Sequence, residues 1–119
     1  MGELHARDGT PLSFTSYKSK DGVTVTVISG RFNSPDRANA EVSAQMKEAR
    51  SIVSKESQAD RRGKINHQRV VAMIPGNNPS SANTAILWTN AEEFHEVVSS
   101  SMKAAIDWER KISPNAKNK

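Results

Sequence analysis

The sequence predicts an α+β domain in two layers: an antiparallel sheet of four or five strands with two helices on one face, in the order β-β-α-β-β-β-α. Three observations carry this. Short β-branched runs are separated by turn residues. One long stretch has helical periodicity behind a clear cap. No segment is apolar for more than a few residues. At 119 residues the chain is the size of one domain, long enough to bury a core.

Residues 1–11 are polar, hold Gly9 and Pro11, and read as a loose lead-in to a domain spanning 12–112. The first strand is expected over 12–17, with Leu12 and Phe14 inward. Asp21-Gly22 tolerates positive φ and so predicts a hairpin into a second strand over 23–29, whose Val23, Val25 and Val27 share one face. Gly30 then interrupts the pattern, as a bulge or a close backbone approach would. Ser34 is suited to cap a helix, Pro35 to open it and Asp36 to complement its dipole. Ala38, Val42, Met46, Ala49 and Val53 fall on one stripe, so the helix is expected over 35–58, with Gly63 as its stop.

A strand over 64–75 follows, its centre Val70-Val71-Ala72-Met73-Ile74 apolar on both faces. Residues 77–83 read as a turn-rich loop and 84–89 as another apolar strand. Asn90 and Glu93 would also suit the start of a helix running over 91–112. Val97-Val98-Ser99-Ser100-Ser101 is a run of poor helix formers, however. A hairpin turn at 90–93, a strand over 94–98 and a serine-capped helix over 101–112 fit better. Met102, Ala105, Ile106 and Ile112 supply that helix's inner face and Trp108 its edge. Ser113-Pro114 ends it, and 113–119 reads as a tail.

Function is less constrained. With no cysteine there is no disulfide, thiolate metal site or thiol nucleophile. His5, His67 and His95 are too far apart for a metal-ligand motif, so no metal or other cofactor is expected. A nucleophile elbow and phosphate-binding glycine loops are missing. The triplet 99–101 reads as a cap, and Glu92, Glu93 and Glu96 read as solvated charge. No catalytic residue is assigned, and the balance leans away from an enzyme.

The net charge of +4 is uneven. Arg110, Lys111, Lys117 and Lys119 crowd the end, while Arg61, Arg62 and Lys64 share one connection. The leading expectation is a non-enzymatic interaction or accessory domain. Its partner would be a second copy or another protein, because strands apolar on both faces need more cover than two modest helices on one face provide. A nucleic-acid-binding domain using Arg61, Arg62, Lys64 and Arg69 is the alternative. Of the aromatics, Tyr17 and Trp108 are the two expected to be exposed for base stacking. A small ligand-binding protein or enzyme, with a sheet–helix pocket near Arg31, His67 and Trp88, is the third reading.

No run is long enough to span a bilayer and no leader is evident. A cytoplasmic location is the default. An exported mature domain is the alternative if Met1-Gly2 replaces a removed leader.

Overall fold

The computed structural model describes residues 2–6, 8–59, 61–76 and 82–112. Nine elements follow in order: β1 (Gly2–His5), β2 (Pro11–Lys18), β3 (Thr24–Arg31), α1 (Pro35–Glu48), β4 (Ser51–Ala59), β5 (Ile65–Pro75), β6 (Ala82–Asn90), β7 (Glu93–Ser99) and α2 (Met102–Ile112). The strands form one seven-stranded antiparallel sheet in the order β1-β2-β3-β7-β6-β5-β4.

The α+β class and the antiparallel sheet are as expected. The strand count and the layering are not. The expected four or five strands become seven, because two stretches read otherwise are paired. Within 1–11, Gly2–His5 pair with β2. The second half of the expected 35–58 helix is strand β4. Helix α1 stops at Glu48, Ala49 turns extended (φ −73°, ψ 150°), and Arg50 N–H already bonds the Met73 carbonyl at 2.8 Å. Ile52 and Val53 are β-branched and Ser51 and Ser54 weak helix formers, so pairing with β5 overrides the apolar stripe. Gly63 serves the β4–β5 connection, at φ +82°, rather than ending a helix. Residues 113–119 and most of the expected 77–83 loop lie outside the described residues.

The helices also pack on opposite faces of the sheet, not on one. On the α1 side the core holds Ala38 and Val42 with Leu12, Phe32, Val70, Ala72, Leu87 and Phe94. On the α2 side Ala105 packs with Val25, Val71, Ile86, Trp88 and Val97. Successive strand residues alternate between these cores, and that is why β5 and β6 read as continuous apolar runs. The second helix supplies the cover that the runs demand.

Local rules explain the joints. Ser34 Oγ accepts from Arg37 N–H at 3.2 Å, behind Pro35 and Asp36. Gly22 lies at φ +87° in the β2–β3 turn. The β6–β7 turn at 90–93 forms as expected, with Ala91 held at φ +56° while its N–H bonds the Asn66 carbonyl at 2.7 Å. The serines cap α2: Ser101 Oγ accepts from Ala104 N–H at 3.3 Å and Ser99 Oγ from Ser101 N–H at 3.0 Å. Gly30 is the close approach, not a bulge, since its ladder stays in register with Phe94. A methyl there would collide with Leu12 Cδ2 and come within 3.1 Å of the Pro11 carbonyl.

Helix α1 is seated by polar contacts as well as by Val42. Asn39 Oδ1 accepts from Gln68 Nε2 at 2.7 Å and from Thr89 Oγ1 at 3.0 Å, while its Nδ2 donates to the Ile65 carbonyl at 2.7 Å. One turn on, Gln45 Nε2 donates to Glu41 at 2.9 Å, above Glu96 of β7. Glu96 is 5% exposed. Burial pushes its carboxyl up from 4.5 to about 7; the Glu41 charge adds to this and a hydrogen bond from Gln45 opposes it.

Two outcomes follow. A carboxyl held protonated in the folded state stabilises the fold fully below about pH 4.5, and the contribution is lost as pH rises through about 7. The displacement is worth ~3 kcal/mol. Urea midpoints at pH 5 and pH 8 should therefore fall more for the unaltered protein than for Glu96→Gln; equal falls would contradict this. Gly30→Ala should lower stability by ~1–3 kcal/mol, through the displaced Leu12, and a thermal melt reads this directly.

Candidate functional site

The residues singled out as a ligand site do converge on one sheet face. Opposed residues in an antiparallel ladder share a face, and so do rows two residues apart. One row across the sheet is Arg31, Glu93, Asn90, His67 and Gln58, and the next is Ser29, His95, Trp88, Arg69 and Glu56. Trp88 belongs to the core under α2, so both rows lie on the α2 side, at the end where Glu109 of that helix meets the sheet. Arg31, His67 and Trp88 thus occupy neighbouring rows.

The charges in these rows are spent on one another. Arg31 Nη1 contacts Glu92 at 2.8 Å and Nη2 contacts Glu93 at 2.9 Å. His95 Nε2 lies 3.4 Å from Glu93, and its ring stacks on Trp88 with centroids 5.3 Å apart. Trp88 itself is 2% exposed and offers no surface to a ligand. Arg69 makes a fork with Glu109, Nε to Oε2 at 2.6 Å and Nη2 to Oε1 at 2.8 Å, and Glu56 stands at 3.7 Å. Hydrogen bonding to Glu109 pushes the guanidinium up, against burial. In this polar lattice the Arg69–Glu109 fork joins α2 to the sheet, while the more exposed Arg31 pairs tie β3 to the β6–β7 turn.

The basic segment divides. Arg61 and Arg62 sit in the exposed β4–β5 connection, and Lys64 reaches Asp36 at 3.8 Å. Arg69 turns inward to Glu109 instead of joining them. Among the described residues no cluster of histidine, aspartate or glutamate could hold a metal ion, and no helix is long and apolar enough to cross a membrane.

The surface that sequence reasoning missed is β4. It ends the sheet and pairs only with β5 among the described residues. Every residue of it except Ser54 is exposed, including Ile52 (42%) and Val53 (52%). The ladder is irregular at Ile52/Ser54 and at Gln58/Ala59, which leaves a regular window over Ser54, Lys55, Glu56, Ser57 and Gln58. Along the outer edge of that window the strand's backbone N–H and C=O groups face away from β5. The signal for it was the β-branched pair Ile52-Val53 set among Ser51, Ser54 and Ser57, weak helix formers.

No protein-family model matches this chain, and no curated protein is significantly similar to it.

The lattice makes a stability prediction. Glu109→Ala strands a guanidinium that is only 19% exposed, and should cost ~3 kcal/mol. Replacing both partners, Arg69→Met with Glu109→Leu, should recover most of that loss. Chemical denaturation of the three variants checks this, and a double variant weaker than Glu109→Ala would contradict it.

Proposed function

We propose that this is a non-enzymatic interaction domain that self-associates through β4, a second copy adding its own β4 to the open edge. The observation that carries the reading is the nine-residue edge strand exposed on both faces and bearing Ile52 and Val53. An unpaired strand edge is a ready template for main-chain hydrogen bonding, and the backbone supplies affinity whatever the sequence. The regular window holds one lysine and one glutamate and so carries no net charge. Antiparallel addition about a two-fold axis normal to the sheet closes on itself as a dimer. One added strand covers less than a standard interface, so dissociation in the micromolar range is expected.

The interaction reading is favoured over an enzyme because the charged side chains of the expected pocket neutralise one another and Trp88 is buried. The nucleic-acid reading of the 61–69 segment loses support from Arg69, whose guanidinium is committed to Glu109.

Sedimentation equilibrium over a range of micromolar concentrations should show the mass of two chains. Lysines on the edge obstruct strand addition, so Ile52→Lys with Val53→Lys should return the mass to one chain without changing the circular dichroism. A single-chain mass for the unaltered protein throughout the range removes the proposal.

A further inference from the structure

Beyond β4, a second surface invites a ligand of a different kind. Between the β2–β3 hairpin and α2 lies an open groove of about 470 Å³, with Tyr17, Lys18, Asp21, Lys103 and Trp108 in its lining. Its size falls within the range of small-molecule sites. Tyr17 and Trp108, 91 residues apart in the chain, stack with centroids 4.5 Å apart and planes inclined by 25°. Trp108 covers one face of the tyrosine ring, yet Tyr17 remains 45% exposed. Lys111 Nζ lies 4.8 Å from the Trp108 ring centroid. Lys103 is paired with Asp107 at 3.3 Å, whereas Lys18 makes no ion pair among the described contacts.

We propose that this groove binds a nucleotide unit, a planar base with its phosphate, free or within a single strand. The base would extend the Tyr17–Trp108 stack on the open tyrosine face, as bases do on exposed aromatic rings. The phosphate pairs with Lys18, the uncommitted cation of the lining. Asp21, which already accepts from the Ser19 hydroxyl, is as a carboxylate an acceptor with lone pairs to spare; these suit a base that presents N–H donors, and guanine presents two side by side. In the lining Lys18 and Lys103 balance Asp21 and Asp107, and Lys111 beside the Trp108 ring tips the surroundings to a positive charge. The site is separate from the 61–69 segment: β2 and β5 are divided by β3, β7 and β6.

The test uses the whole chain labelled with nitrogen-15, in which the two tryptophans give two indole N–H signals. Titration with guanosine monophosphate should shift the Trp108 signal saturably, with a Kd of about 0.1–1 mM for a single nucleotide, and leave buried Trp88 in place. A short single-stranded oligonucleotide is the second arm. Tighter, salt-dependent binding by the oligonucleotide assigns the strand as the source, and equal binding assigns the free nucleotide. Tyr17→Ser should weaken binding at least tenfold, and Lys18→Ala several-fold with a shallower salt dependence; circular dichroism confirms that both variants fold. The proposal is overturned if neither ligand moves Trp108. It is equally overturned if Tyr17→Ser binds as the unaltered protein does, or if guanosine without its phosphate binds as tightly as the nucleotide.

Discussion

The structure depends on one constraint: the central strands have no polar side. In β5, Val70 faces α1, Val71 faces α2 and Ala72 faces α1 again; in β6, Ile86, Leu87 and Trp88 alternate in the same way. All six are buried. A sheet with this centre is stable only as the middle of three layers, and the chain provides one helix for each side. The connections follow from it. The chain enters α1 after β3, leaves it for the far edge at β4, and works back through β5 and β6 to β7, which slots in beside β3. Helix α2 then covers the opposite face.

Apolar packing does not by itself fix where a helix sits along a smooth strand surface, and each helix here has a polar anchor for that purpose. Asn39 is held by three partners on α1's side, and Glu109 by the Arg69 fork on α2's side. The two sides differ electrostatically. Arg69 balances Glu109, so α2 is docked through a compensated pair. Under α1, Glu96 meets a second carboxylate in Glu41 with only the neutral amide of Gln45 between them. The fold eases that conflict by raising the Glu96 carboxyl to about 7, because burial penalises the charged form more than one amide can offset.

Much of this was legible in the sequence where a local rule acts alone. Asp21-Gly22 marked the β2–β3 hairpin, Ser34-Pro35-Asp36 marked the start of α1, and the serines before Met102 marked α2. What escaped was decided by tertiary contact. Ala49 and Val53 continue a helical stripe, and only the ladder with β5 makes 51–59 a strand. Gly2–His5 offers a single apolar residue, Leu4, too little to show a period, and its strand is set by backbone pairing to β2. Periodicity showed that β5 and β6 were apolar on both faces but not that the second helix would return to the other side. The same limit holds at the polar rows. Strand register could bring Arg31, His67 and Trp88 to one face. That Glu92, Glu93 and Glu109 would consume the nearby arginines depends on a turn and a helix meeting the sheet there.

The sheet order also separates its exposed features. Strand β4 forms one edge, while the Tyr17–Trp108 stack lies toward the other, on β2 and α2. Four strands stand between β2 and β4, and at ~4.8 Å per strand the two surfaces are more than 20 Å apart. Strand addition at β4 would therefore extend the sheet away from the groove without covering it. The register irregularities at the two ends of the β4 window limit the pairing length, which is how natural edges avoid open-ended growth. On the proposed reading, an edge bounded on both sides, without net charge in its window and uncovered by either helix, would accept one short strand and then stop.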